Sequence, residues 1–440
     1  MKQDLLDLAA SALQMAKSAG AAHSQINVFR ERSVEIHYRE RKPENIKEAS
    51  TRGLSIDIYV DGRYSSQSTS DLRPEPLRDF IARAVASTRL LAEDPFRILP
   101  DPKYYAGRPG VNLELVDPAY AEFTPEERHR FVKAIEAASL AKGGARVISV
   151  EAAVGDTHSE SAMIASNGFE GYTESTSYGA SANVTMQDAG DRRPNGSHYA
   201  EAVARRRLPP AEEIGALAAQ RTLDLFGAKK LPTATLPIIV ENRNVPRLLG
   251  GLLAGFSGRN IQQKQSFLAD KQGQKIASDR LTLVDDPLIV GGLGSQLYDG
   301  DGFAAQRRTM LEAGVLKEFY IGWYYSRKLG CEPTTGGHSN LLVPPGRRSV
   351  AEIMQDLGRG VLINGFIGGN SNSTTGDMSV GITGTLFEKG QPVQAVAEMN
   401  IAGNHLQLWQ RLAEVANDPW PYSSYRTPSL VFTDVVVSGA

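Results

Sequence analysis

The first half of the chain states one pattern twice: a helix, a run of strands and a second helix, over residues 1–95 and again over 120–228. An internal repeat of this kind constrains architecture before any motif does. In the first copy a helix over about residues 3–19 puts Leu5, Ala9, Leu13 and Ala16 on one stripe. Strands follow with period-two alternation at Val34, Ile36 and Tyr38, and again at Leu54, Ile56 and Ile58, before the hairpin turn signal Asp61-Gly62 and a helix from Pro74 to Leu91. The second copy opens at Thr124, with Pro125 at the first helical position and Glu127 at the third, a capping box. Strands are expected over 146–154, 161–176 and 179–187, with a turn at Asn167-Gly168, and a helix near Ala211–Phe226. The copies match in structure pattern, not letter by letter, and the proline-rich segment 93–110 connects them.

Beyond a linker at 227–237 helices thin out and strands dominate. Strand candidates are 236–242, 280–286, a hairpin over 308–322 turning at Ala313-Gly314, 360–369, 380–396 turning at Lys389-Gly390, and 429–439. Short helices are expected at Trp323–Leu329, Val350–Arg359 and Leu406–Ala416. The layout is α+β with two domains: an N-terminal domain over 1–230 that contains the repeat, and a β-rich C-terminal domain over 231–440. A length of 440 residues suits two or three domains.

Composition narrows the function classes. Apolar content of 41%, charged content of 22% and 42 glycines describe a globular chain with many tight turns. A net charge of −2, with arginines in short clusters (Arg205–Arg207, Arg307-Arg308, Arg347-Arg348) and no basic stripe, argues against nucleic acid as a partner. Cys331 is the single cysteine, so no intrachain disulfide forms and a reducing compartment, the cytoplasm, is expected. Asp4 and Asp7 interrupt what would be the apolar core of a signal peptide, and no apolar run is long enough to span a membrane.

The stretch Leu248–Gly258, LLGGLLAGFSG, has helical leucine spacing yet carries Gly250, Gly251, Gly255 and Gly258. Each glycine inside a helix costs about 1 kcal/mol relative to alanine. Either the segment is not a regular helix or the missing side chains let something approach.

Familiar catalytic constellations are absent. His23, His37, His129, His158, His198, His338 and His405 are scattered, and no two stand at ligand spacing on one element. Asp156 near His158 reads as a polar loop beside a hairpin. Neither a G-x-S-x-G elbow nor a Walker A loop occurs, and the glycine-rich 291–302 leads into a strand, without the helix N-terminus that cradles phosphate. Asp285, Asp286, Asp299 and Asp301 lack calcium-loop spacing and read as solvated turn carboxylates. Cys331 has no base nearby in sequence.

Five segments taken together carry a resemblance: Ser257–Pro287, Asp299–Gly330, His338–Gly346, Thr374–Gly384, and Asn400–Asn404 followed by Val415–Pro421. In this order and spacing they resemble the TldD/PmbA family, on its PmbA (TldE) branch, over most of the chain and most strongly from Val245 onward. The resemblance implies a subunit of a TldD/TldE zinc metallopeptidase that cleaves small or unfolded peptides, from a family also known as modulators of DNA gyrase and linked to microcin maturation and antitoxin turnover. In the TldD branch a His-Glu-x-x-x-His segment supplies two zinc ligands and the acid/base glutamate, and a cysteine near the C-terminus supplies another ligand. Here Gly250 and Gly255 stand where the histidines would be and Gly251 where the glutamate would be, while Cys331 lies far too early to replace the cysteine.

The resemblance therefore implies a non-catalytic chain with no catalytic or metal residue of its own, zinc being carried by a TldD-like partner in a heterodimer. Small residues at 250–258 would let the partner's metal segment or a peptide come close. Extended peptide is expected to be gripped through main-chain hydrogen bonds to a sheet edge or glycine-rich loop, with Gly368, Gly369 and Asn370 in the loop 365–379 as the candidates. Two alternatives stand beside this reading: a stand-alone metallopeptidase-like homodimer, and a regulatory binding protein acting on gyrase or a toxin–antitoxin target.

Overall fold

The computed structural model describes residues 2–439. The first copy of the repeat comprises α1 (Lys2–Ser18), β1 (His23–Arg39), β2 (Lys42–Val60), β3 (Arg63–Thr69) and α2 (Pro74–Thr88). The second comprises α3 (Pro125–Gly143), β4 (Val147–Ala165), β5 (Glu170–Met186), β6 (Asn195–Ala202) and α4 (Ala211–Leu223). Both copies read helix, three strands, helix, and their strands merge into one antiparallel sheet of order β3-β2-β1-β4-β5-β6. Joining β1 to β4 removes the two edges that separate sheets would expose.

One face of this sheet carries two cores. Ile26 and Val28 of β1 pack with Leu54, Ile56 and Ile58 of β2 beneath α1 and α2. Val34, Ile36 and Tyr38 of the same strand pack with Val150, Val154 and Val184 beneath α3 and α4. Between them the same face presents Arg30, bonded to Glu160, and Arg32, which donates to Glu48 at 2.7 Å. A charged band thus divides the two apolar patches that the repeat generates.

Local signals explain most boundaries. Thr124 accepts from the Glu127 backbone N–H, but the return half of the expected capping box is missing because Glu127 pairs with Arg205. Strands expected over 146–154 and 161–176 are parts of two long strands: β4 continues to Ala165, and β5 runs from Glu170 through the segment expected at 179–187. Polar positions such as Asp156 and His158 break the apolar alternation of β4, while its ladders to β1 and β5 hold it extended.

The second half comprises β7 (Ala234–Val240), α5 (Val245–Leu253), α6 (Gly258–Gln262), β8 (Leu283–Asp285), β9 (Arg308–Glu312), β10 (Val315–Leu316), α7 (Trp323–Leu329), β11 (Leu341–Leu342), α8 (Val350–Leu357), β12 (Arg359–Ser371), β13 (Asp377–Glu388), β14 (Gln391–Asn404), α9 (His405–Gln410), β15 (Leu412–Val415), β16 (Tyr425–Arg426) and β17 (Leu430–Ser438). Strands order as β14-β13-β12-β7-β17-β15, and β14 also pairs with β17 through Ile401 and Val437, closing the sheet on itself. A small second sheet, β10-β9-β8-β11-β16, shares its core with this barrel and with α5. The helix expected over Leu406–Ala416 stops at Gln410, because Leu412–Val415 pairs with β17. Arg221 of α4 holds Glu241 bidentately at 2.6 and 3.0 Å, tying the two halves together just before α5.

Candidate functional site

The glycine-bearing segment does form a helix. Val245, Leu248, Leu249 and Leu252 of α5 are buried in the core of the second half, and residues 254–256 continue as a 3-10 turn before α6. The four glycines serve different ends. At exposed Gly250 a Cβ would meet nothing within 4 Å. At Gly251 it would lie 2.5 Å from His405 Cε1 and 2.8 Å from Ser371 Oγ, with His405 Nε2 nearer still. At Gly255 it would lie 2.8 Å from Leu268 Cδ1, and at Gly258 3.0 Å from the Tyr320 carbonyl oxygen, where the two backbones exchange hydrogen bonds.

The space beside Gly251 is thus filled by a histidine from a distant segment. His405 begins α9, capped by Asn404, whose side chain accepts from the Leu406 N–H at 3.0 Å. Its ring stacks on Phe267 at 6.0 Å between centroids, and its Nε2 stands 3.1 Å from Ser371 Oγ, the hydroxyl at the end of β12. Burial lowers its pKa to about 4, so the imidazole is neutral at pH 7. Its Nδ1 is buried without a hydrogen-bond partner.

The expected peptide-binding residues are brought to the same place. Gly368, Gly369 and Asn370 are not in a loop, as expected, but near the end of β12; only residues 372–376 form the turn to β13. A register shift between Ile367 and Asn370 makes Gly368 and Gly369 a bulge, with φ of 56° and 93°. Arg247 of α5 donates to the Gly368 carbonyl at 3.0 Å, so the glycine helix and the glycine bulge are in contact. Strand β7 pairs with β12 only through Ile363, so Asn364–Ser371 keeps β13 on one side and is a sheet edge on the other. A cleft of 520 Å³ borders this edge, lined by Gly365, Phe366 and Ile367, by Arg243 just before α5 and, from the first half, by Ser197 and Tyr199.

A zinc site needs three or more nitrogen, sulfur or oxygen donors converging on one point. Around α5 the glycines supply none and His405 supplies one, and among the described residues no three His, Cys, Asp or Glu side chains are grouped to hold a metal ion. The donor set at this segment does not fit a zinc centre. His23, His37, His129, His158 and His338 each have a local side-chain partner, and His198 packs edge-on against Trp420. Asp156 is not in a loop but buried in β4 against Arg128. Asp285 accepts from the Ser339 N–H at 2.9 Å, Asp299 from the Asp301 N–H and Asp301 from the Trp323 N–H at the start of α7, so three of the four aspartates expected to be solvated are largely enclosed. Cys331 is exposed. The pairing of His405 with Ser371 and that of Arg247 with the Gly368 carbonyl escaped sequence reasoning: no spacing rule links residues that meet only after the barrel closes.

The chain matches models of the PmbA/TldA metallopeptidase family in three pieces: domain 1 over 26–88, the central domain over 118–226 and the C-terminal domain over 233–439. It is 28% identical to the metalloprotease PmbA of Escherichia coli O157:H7 over 99% of this chain and 96% of that protein. A crystal structure from Bacteroides thetaiotaomicron, described as a modulator of DNA gyrase, superposes with a TM-score of 0.96 at 38% identity, covering 99% of this chain and 98% of that one. TldE from Thermococcus kodakarensis shares the fold, with a TM-score of 0.88 at 22% identity over 98% of this chain and all of that one.

Proposed function

Because the chain belongs to the PmbA/TldD metallopeptidase family, we propose that it is the metal-free partner in a peptidase pair, holding extended peptide while a His-Glu-x-x-x-His-bearing subunit supplies zinc and the acid/base glutamate. The observation that carries this reading is the filling of α5. Where the family resemblance places the glutamate, Gly251 is closed over by His405 and Ser371; where it places the second histidine, Gly255 is closed over by Leu268. Rebuilding a metal segment here would require the core to move as well as new donors.

The chain's own contribution is to position substrate. Beyond Ile363 the edge of β12 is open, and an extended peptide laid against it takes up main-chain hydrogen bonds without reading side chains, which suits small or unfolded substrates of varied sequence. Arg247 fixes the Gly368 carbonyl and so holds the bulge in one conformation. Neutral His405 holds Ser371 at the strand end. The exposed, unpaired thiol of Cys331 accords with a reducing cytoplasm, and no helix among the described residues is long and apolar enough to cross a membrane.

Two measurements test the proposal. The protein purified alone, dialysed against metal-supplemented and then metal-free buffer, is expected to retain no stoichiometric metal by plasma mass spectrometry, and to cleave an unstructured peptide only after the partner subunit is added. Gly368→Asn places a side chain on the exposed edge at a φ that asparagine tolerates, and is expected to slow cleavage by the pair while leaving unfolding unchanged. Stoichiometric metal, or equal cleavage by this chain alone, overturns the proposal.

A further inference from the structure

A second open edge lies in the first half of the molecule. Strand β5 runs for 17 residues, but β6 pairs only with Tyr178–Thr185 before the chain turns away at Val203. The other half of β5, Glu170–Ser177, has β4 on one side and no strand on the other. Its two ends are closed: Arg108 Nη1 donates to the Glu170 carbonyl at 2.9 Å, and the Thr176 N–H donates to the Leu115 carbonyl at 2.8 Å. The N–H and C=O of one strand residue point the same way and alternate along the strand. Since Thr176 points away from β4, Tyr172 and Glu174 do too. Among the described residues, no protein group hydrogen-bonds to their main-chain atoms on that side.

A cleft of 900 Å³ runs along this edge, between the connector Val111–Val116 and the segment Gly292–Tyr298. Val111 and Val116 on its wall are exposed apolar side chains, 40% and 39% accessible, and exposed Arg206 lies at its border. The free edge from Gly171 to Ser175 is about 17 Å long at strand rise. Spread over that length, 900 Å³ gives a cross-section of about 50 Å², close to the about 4.8 by 10 Å that one extended chain occupies.

We propose that the β5 edge from Gly171 to Ser175 is a second strand-addition site, taking one extended peptide segment through the main-chain groups of Tyr172 and Glu174. It rests on the peptide-binding reading above but uses neither α5 nor β12. Recognition is through the backbone, with Val111 and Val116 covering the apolar side chains of the guest.

The test is photo-crosslinking on the full chain. Benzoylphenylalanine is installed separately at Val116 in the cleft, at Ile367 on the β12 edge and at exposed Ile148 as a control, and the probe is a fluorescein-labelled unstructured decapeptide of alanine, serine, threonine and valine. Saturable capture from position 116, and none from 148, is expected. Glu174→Pro removes one N–H aimed into the cleft and should weaken that capture about fivefold to tenfold; Val116→Trp fills the cleft without touching the ladder and should weaken the probe's binding by fluorescence anisotropy if the proline variant fails to fold. Capture from 367 but not from 116 overturns the β5 site and leaves the peptide-binding function standing. Capture from neither overturns both, and undiminished binding in the folded variants overturns the β5 site.

Discussion

Replacing Gly250 and Gly251 one at a time with alanine should move stability in opposite directions, although the two are neighbours in one helix. At Gly250 the new methyl meets open space, so the substitution returns about 1 kcal/mol of helix propensity. At Gly251 the same gain is opposed by overlap with the His405 ring, which is confined by Phe267 behind it and by the start of α9. Overpacking of this kind costs roughly 1–3 kcal/mol, and displacing the ring forfeits its hydrogen bond with Ser371, about 1 kcal/mol more. The two variants should therefore differ by roughly 2–4 kcal/mol. Trp323, Trp409 and Trp420 are the only tryptophans and all lie in the second half, so urea unfolding followed by tryptophan fluorescence reports on the domain that contains α5. A midpoint above wild type for Gly250→Ala and below it for Gly251→Ala is expected. Adding His405→Ala to Gly251→Ala should cost less than the sum of the two single changes, because the ring that clashes is gone. If Gly251→Ala stabilises as much as Gly250→Ala, or if the double variant is strictly additive, His405 does not close the site.

Two further outcomes follow from buried charge. Arg128 on α3 grips Asp156 on β4 with bonds of 2.5 and 2.9 Å, both side chains almost fully enclosed; Arg128→Ala should destabilise the first half by roughly 3–5 kcal/mol in urea unfolding by strand and helix dichroism, and a loss below about 1 kcal/mol would mean that water reaches Asp156. Burial lifts the Asp301 carboxyl from 3.8 to about 6, opposed by the Trp323 N–H and reinforced by the charges of Asp299 and Asp57. The folded state thus holds this proton more tightly than the unfolded chain, so the stability it contributes is complete below about pH 4 and is lost as pH rises through 6, by roughly 3 kcal/mol. Wild type should lose that much relative to Asp301→Asn between pH 4 and 7, and parallel pH profiles would remove Asp301 as the titrating group.

Turns and helices were legible because their causes are local. Asp61-Gly62, Ala313-Gly314 and Lys389-Gly390 all adopt paired positive φ, a hairpin-tip geometry signalled in each by the glycine at the second position. Strand β6 was missed because its buried residues, Gly196, His198, Ala200 and Ala202, are small or polar and leave no apolar alternation to see. The end of α9 was misread because Leu412 and Val415 keep a helix-compatible spacing, and only the ladder to β17 decides otherwise. For the candidate site, the sequence singled out α5 and the Gly368–Asn370 segment but could not show that they touch. That contact depends on Arg247 reaching Gly368, and on His405 arriving from the far end of β14.

The two open edges share one structural cause: a strand that outruns its neighbour. Strand β12 continues past the end of β7, and β5 extends beyond the reach of β6. Unpaired edges invite aggregation, and proteins usually blunt them with short strands, proline or inward charge. Here neither edge is shortened. In each an arginine from outside the sheet takes one carbonyl, Arg247 on Gly368 and Arg108 on Glu170, while a cleft lies alongside. An arginine on one carbonyl satisfies one acceptor and leaves the next residues' donors and acceptors free. Both edges keep the geometry needed to receive a guest strand, and the β12 edge does so beside the helix whose glycines leave it without donors for a metal.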